Sequence, residues 1–152
     1  MNIGFVGLGK LGLPCAIAMA NKNHKVYGYD INKKATEEYK KGRCNLYEPD
    51  IDNQLKQALK NLEFCDSINQ VVNNSEIIFI AVQTPHPPEL DGSVRFNHAR
   101  KDFDYSFLKE AIEKLAENIS DYKIVSVIST VLPGTIRREI APILKDKKCS
   151  LF

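Results

Sequence analysis

The sequence has little of what would commit it to a metal, a membrane or a polyanion. Its four cysteines, Cys15, Cys44, Cys65 and Cys149, are far apart with no C-x-x-C spacing, and its three histidines, His24, His86 and His98, form no pairing with them that suits a metal ion. Four reduced thiols and no resident metal are the expectation. Charge of either sign is not in excess: 21 basic residues are scattered among 19 acidic ones, leaving a net charge of +2. No long-range field selects a polyanion, so nucleic acid is not an expected partner. No apolar run approaches the length of a membrane span, and Met1 leads straight into Asn2-Ile3-Gly4-Phe5-Val6 without a basic leader or small-residue cleavage site. No membrane partner and a cytoplasmic location are therefore expected. Repeats, low-complexity tracts and linker-like segments are also missing, and 152 residues suit one core rather than two, so residues 1–152 are expected to form a single domain.

What is present is a regular alternation. Apolar runs of strand length occur at 3–7, 25–29, 62–65, 76–82, 123–130 and 149–152, which makes six candidate strands. Between them, segments with helical period occupy 11–19, 32–41, 51–59, 107–119 and 136–144. The helix over 107–119 is supported by Tyr105, Leu108, Ile112, Leu115 and Ile119 at steps of three and four, by Asp104 as an N-cap, and by an outward Glu110–Lys114 pair. Asp50 is expected to cap a helix that buries Ile51, Leu55, Ala58 and Leu59, and Pro142 to kink or end the last helix. The continuously apolar Ile77-Ile78-Phe79-Ile80-Ala81-Val82 reads as a strand buried on both faces, and so mid-sheet. Strand and helix in turn imply an α/β domain with a mainly parallel sheet and helices on both faces. The longest irregular stretch, 83–101, holds Pro85, Pro87, Pro88 and Gly92, and stretches of that length are usually functional.

The strongest chemical signal is Gly7-Leu8-Gly9-Lys10-Leu11-Gly12, which follows the first strand and opens the first helix. Gly7 permits a tight turn, Gly9 lets backbone approach a pyrophosphate with no Cβ in the way, and Gly12 allows close packing of helix on strand. The helix N-terminus then offers free N–H groups and the positive end of its dipole. Asp30 closes the second strand eighteen residues after Gly12, where a carboxylate accepts hydrogen bonds from ribose hydroxyls and repels a 2′-phosphate. The fold expected is a Rossmann-type doubly wound one, with NAD preferred to NADP. The alternative is that the glycines make only a turn and that Asp30 caps the helix beginning at Asn32. Lys10 does not make a phosphate-binding P-loop, because the spacing between the glycines is too short and Leu11 stands where that motif needs Ser or Thr. His86 and His98 are read as solvated loop residues without a catalytic role.

Three further segments narrow the reading. Tyr47-Glu48-Pro49, Thr84-Pro85, and Ser129-Thr130-Val131 with Gly134-Thr135, together with the glycine segment running into Leu13-Pro14, resemble the UDP-glucose/GDP-mannose 6-dehydrogenase family along nearly the whole chain. The resemblance implies oxidation of the C6 alcohol of a nucleotide-linked sugar to a uronic acid, with two NAD reduced and a thioester formed on a cysteine of the family's C-terminal half. None of the four cysteines here stands in that motif. The resemblance therefore implies the N-terminal NAD-binding domain of a longer, dimeric enzyme, inactive by itself, whose nucleotide-sugar substrate is met through the C-terminal half. Carried over residue by residue, Gly7, Gly9, Lys10, Leu11, Gly12, Asp30, Lys34, Val82, Thr84 and Thr130 match cofactor contacts. Thr130 also matches the hydroxyl that positions water or substrate near the reacting centre. Both threonines end strands, where ligands of open parallel sheets bind.

The chain departs from the family's pattern at Ala35, where a basic side chain commonly reaches the adenosine phosphates, leaving Lys33 or Lys34 to substitute. Leu132-Pro133 reverses the usual order, and Gln83 with the proline-rich stretch marks a divergent subgroup. Two other readings remain open on sequence alone. One is a β-hydroxyacid dehydrogenase, whose opening strand and glycine loop look much the same; the other is a nucleotide-binding module that never catalyses.

Overall fold

In a computed structural model that describes residues 1–87 and 101–152, six strands carry the chain: β1 (Asn2–Val6), β2 (Lys25–Tyr29), β3 (Leu62–Phe64), β4 (Ile77–Ile80), β5 (Lys123–Val127) and β6 (Cys149–Leu151). They form one sheet in the order β3-β2-β1-β4-β5-β6, and every pairing is parallel. Ile3 to Val6 of β1 are all buried without alternation, as a central strand covered on both faces requires. The strand order reverses between β1 and β4, and the crevice beyond their carboxyl ends is where open α/β sheets bind ligands.

Among the described residues, five α-helices cover the sheet: α1 (Gly12–Asn21), α2 (Lys33–Lys40), α3 (Ile51–Ala58), α4 (Ile68–Asn74) and α5 (Ser106–Asn118). Chain direction decides which face each one takes. From β1 to β3 the sheet grows one way, and from β3 back through β4 to β6 it grows the other, so right-handed crossovers put α1 to α3 on one face and the later helices on the other. Two cores result. One packs Leu13 and Ile17 of α1, Tyr39 of α2 and Leu55 of α3 against Ile3 and Phe5. The other packs Val72 of α4, and Leu108 and Ile112 of α5, against Val6, Ile78 and Ile80. Phe5 and Phe79 stack on neighbouring strands with ring centroids 5.1 Å apart.

The doubly wound parallel sheet matches the reading of the sequence, and β4 lies mid-sheet, although its burial alternates, with Ile78 and Ile80 buried and Ile77 and Phe79 only partly so, where its apolar run predicts burial on both faces. Several details differ. Residues 68–74 form α4, a helix not anticipated: Ser67 Oγ accepts from Gln70 N at 3.3 Å, and Ile68, Val71 and Val72 are buried. Asp50 does precede α3, yet its side chain makes no cap bond; its backbone is left-handed at φ 59°, and its carboxylate takes the Asn53 amide at 2.6 Å instead. Asp104 stands one residue earlier than a formal cap and accepts from Ser106 N at 2.9 Å. Over 136–144 the chain winds as a wide π turn (Ile136–Ile140) and then a tight 3-10 turn (Ala141–Leu144). Pro142 has no N–H to give back to the preceding turn, and its ring crowds the carbonyl it would have met. Pro88, Gly92 and His98 lie outside the described residues.

Candidate functional site

The glycine turn is built by sterics that only glycine relieves. Gly7 sits at φ +94°, its N–H bonds to Tyr29 O at 2.8 Å, and a Cβ there would stand 2.6 Å from Ala81 O. At Gly12 a Cβ would lie 2.0 Å from Gly7 O, so α1 can start this close to β1 only without one. Gly9 differs: a Cβ there would meet nothing within 4 Å. Packing does not demand glycine at that position, and the space in front of it lies open to a ligand. The first backbone bond into α1 runs from Leu13 N to Gly9 O at 3.1 Å, so the N–H groups before it have no acceptor in the helix and mark its positive end. Lys10 and Leu11 lie exposed on this turn, Leu11 at 50%.

Asp30 ties this turn to the end of β2. Its Oδ2 accepts from Leu8 N at 2.7 Å and its Oδ1 from Asn32 N at 2.8 Å. The cap of α2 is Asn32 itself, whose Oδ1 accepts from Ala35 N at 3.1 Å, so capping that helix is not what Asp30 is for. A carboxylate has about four acceptor positions. Two are used here, and Asp30 lines a cleft of about 340 Å³, a size typical of small-molecule sites.

Gly7, Gly9, Asp30 and Val82 line that cleft, while Lys10, Leu11, Gly12, Lys34, Thr84 and Thr130 do not. The rest of its lining includes residues that the sequence did not assign to a site: Ile31, Tyr39, Phe107, Ala111, and Glu110 and Lys114, expected only as an outward pair. Ile31 is 79% exposed and Phe107 51%, large apolar surfaces that a flat ring could cover. The Phe107 position was visible as the outward first turn of a helix, but nothing in the sequence says which face of that helix meets the crevice. Tyr39 reaches under the turn to give its hydroxyl to Leu8 O at 3.3 Å, and burial, reinforced by the Asp30 charge, pushes that phenol up from its usual range. Lys33, one of two candidates to replace the missing basic side chain at Ala35, turns aside, with its ammonium 2.9 Å from Asp66 O and 4.9 Å over the Tyr29 ring. Lys34 is exposed.

Thr84 and Thr130 meet past the end of β4. Thr84 Oγ1 donates to Thr130 O at 2.7 Å, and Ser129 Oγ to Val82 O at 2.7 Å, so the segments after β4 and β5 are sewn together where the crevice continues. The Thr130 side chain is exposed. Three thiols are held back as nucleophiles: burial pushes Cys65 up to about 11 and raises Cys44 and Cys149 as well, and the thiolate is the reactive form. Among the described residues, no three His, Cys, Asp or Glu side chains are grouped to hold a metal. The arrangement suits an anionic ligand with a flat ring and vicinal hydroxyls: open space at Gly9 before a helix N-terminus, a carboxylate with free lone pairs, and an apolar wall.

Residues 1–151 match the model of the UDP-glucose/GDP-mannose dehydrogenase family, NAD binding domain. The chain is 34% identical over 140 residues to a UDP-N-acetyl-D-mannosamine dehydrogenase of Pyrococcus horikoshii, covering 91% of this chain and 30% of that protein. Among solved structures it resembles a UDP-glucose dehydrogenase of Pyrobaculum islandicum (TM-score 0.82, 31% identity, 99% of this chain and 34% of the other). It also resembles a GDP-mannose dehydrogenase of Pseudomonas aeruginosa (TM-score 0.86, 25% identity, 99% and 35%). The chain thus spans about a third of the length of each of these three proteins.

Proposed function

The chain belongs to the UDP-glucose/GDP-mannose dehydrogenase family, as its NAD-binding domain, and from that premise we propose how its residues hold the dinucleotide and what the intact protein does. The adenosine half lies in the cleft between β2 and α5, with its ribose hydroxyls donating to Asp30 and its base against Ile31 and Phe107. The pyrophosphate passes in front of Gly9 and takes N–H groups at the start of α1. Such sheets are built from two mononucleotide-binding halves, so the nicotinamide falls on the β4–β5 side, beside Thr84 and Thr130. The bound cofactor supplies a hydride acceptor. Lys10, Leu11 and Lys34, exposed around the turn, are proposed to contact the cofactor at its solvent side, and Thr130, with its exposed hydroxyl, to orient water or substrate.

In the intact protein this domain serves the oxidation of the C6 alcohol of a UDP- or GDP-linked sugar to the uronic acid, with the sugar nucleotide and the nucleophilic cysteine held by a further domain. A cytoplasmic, homodimeric enzyme fits this reading. Because the family is settled, the β-hydroxyacid dehydrogenase alternative is set aside.

The observation that carries the proposal is the Asp30 carboxylate, which spends two hydrogen bonds on backbone and lines the cleft together with the open Gly9. Asp30→Ala is expected to weaken NADH binding by about ten- to a hundredfold, the worth of hydrogen bonds to a charged group, while NADPH binding changes far less. Equal losses for both cofactors would mean that Asp30 serves only to hold Leu8 and Asn32.

A further inference from the structure

We propose that Tyr105 is a positioning residue for the nicotinamide end of the site, its hydroxyl holding residues 130–135 in place over the end of the sheet. The inference rests on the reading above that this end receives the nicotinamide.

Tyr105 immediately precedes α5, is only 9% exposed, and leans its ring on Phe103 at 6.4 Å. Its hydroxyl donates to the Asp102 carboxylate and accepts from Leu132 N at 3.1 Å and Thr135 Oγ1 at 3.3 Å. One proton and two lone pairs exhaust what a phenol can do, so the group is fully used. Leu132 and Thr135 flank a turn that Thr135 N closes on Leu132 O at 3.1 Å, with Gly134 at φ +87°. Tyr105 therefore grips this turn at both shoulders.

The other end of the same segment is gripped from β4, by Ser129 on Val82 O and by Thr84 on Thr130 O. Thr130 lies between the two grips. Asp104 N, next to Tyr105, bonds Pro85 O at 2.8 Å, which fastens the start of α5 to the residue beside Thr84. The three segments thus close a ring of hydrogen bonds, Thr84 to Thr130, Leu132 and Thr135 to Tyr105, Asp104 to Pro85, with Thr130 as one of its members. The Phe103 contact and the burial require only the ring of Tyr105; the hydroxyl is what holds Leu132 and Thr135, the end of this segment that Ser129 and Thr84 do not reach.

The test uses Tyr105→Phe in this chain, with NADH and ADP-ribose as ligands, the second lacking the nicotinamide. Losing the phenol acceptor is expected to weaken NADH binding about three- to tenfold and to alter the fluorescence of the bound nicotinamide, while ADP-ribose binding stays at its parental value. Thr135→Val, which removes one of the two donors, gives a smaller change of the same kind. Equal weakening of both ligands, or no change in either, overturns the proposal, since a hydroxyl that only stabilises the fold would not discriminate between them. If the parent chain binds NADH no better than ADP-ribose, the failure lies instead in assigning the nicotinamide to this end, and the proposal falls with it.

Discussion

Replacing Gly12 by alanine should cost stability, and replacing Gly9 should cost only ligand binding. At Gly12 the new methyl would stand 2.0 Å from Gly7 O and 3.2 Å from the Ala81 Cβ. Carbon and oxygen settle no closer than about 3.3 Å even in favourable C–H···O contacts, so α1 would have to retreat by more than about 1 Å. The carbonyl it meets is backbone, and no rotamer change relieves the clash. Overpacking of this kind costs about 1–3 kcal/mol, and a backbone-to-backbone clash belongs at the upper end. Alanine's better helix propensity, about 1 kcal/mol in mid-helix, offsets only part of that at a first helical position. For a domain of this size each kcal/mol moves Tm by about 2–4 °C, so a fall of about 4–10 °C is expected in thermal unfolding followed by circular dichroism. Gly9→Ala should melt within about 0.5 kcal/mol of the parent, as a substitution into open space does. Its methyl nevertheless occupies the space assigned to the pyrophosphate, and NADH affinity should drop. A Gly12→Ala chain that melts with the parent, or a Gly9→Ala chain that binds NADH as the parent does, would refute the reasoning.

Two other expectations concern the core and a helix end. Cys65 is pushed from 9.0 to about 11 by burial, aided by the charges of Glu63 and Asp66. The unfolded chain then loses its thiol proton first, so this contribution to stability is intact below pH 9 and falls as pH rises toward 11. Iodoacetamide at pH 8 should label Cys65 only after urea unfolding; mass spectrometry showing native-state labelling at the unfolded rate would contradict this. Ser67→Ala removes the side-chain cap of α4 and should cost about 1 kcal/mol, read as a lower urea midpoint; an unchanged midpoint would mean that packing of Ile68, Val71 and Val72 alone sets that helix.

The parts of the fold legible in the sequence are those in which one short stretch determines its own structure. The glycine spacing of residues 7 to 12 was readable because all three glycines fall in one strand-turn-helix unit, where the missing Cβ of Gly12 answers Gly7 O and that of Gly9 leaves space open, and Asp30 because it ends a strand at a fixed distance from them. The α4 helix went unread although Ser67 and Gln70 form the Ser-x-x-Gln start signal: its seven residues include three asparagines, poor helix formers, and too few turns for a period to show. Asp50 was read as a side-chain cap because its residue type permits one, but a left-handed backbone turned the carboxylate toward Asn53. The π turn before Pro142 depends on how the chain absorbs a missing donor, which the residue alone does not dictate. At the site, Phe107, Glu110 and Lys114 belong to a helix about a hundred residues beyond the glycine turn, and only the strand order brings them to Asp30. The grip of Tyr105 on Leu132 and Thr135 spans 27 and 30 residues, and no local pattern announces it.

The central claim is that this chain holds NAD through the Gly9 opening and the Asp30 carboxylate. Paired titrations of the unaltered chain with NADH and NADPH, followed by nicotinamide fluorescence without substrate, test it most directly. Saturable NADH binding is expected, with NADPH binding weaker by about tenfold or more, because the Asp30 carboxylate proposed to accept from a 2′-hydroxyl would repel a 2′-phosphate. Equal affinity for the two, or binding of neither, would contradict it.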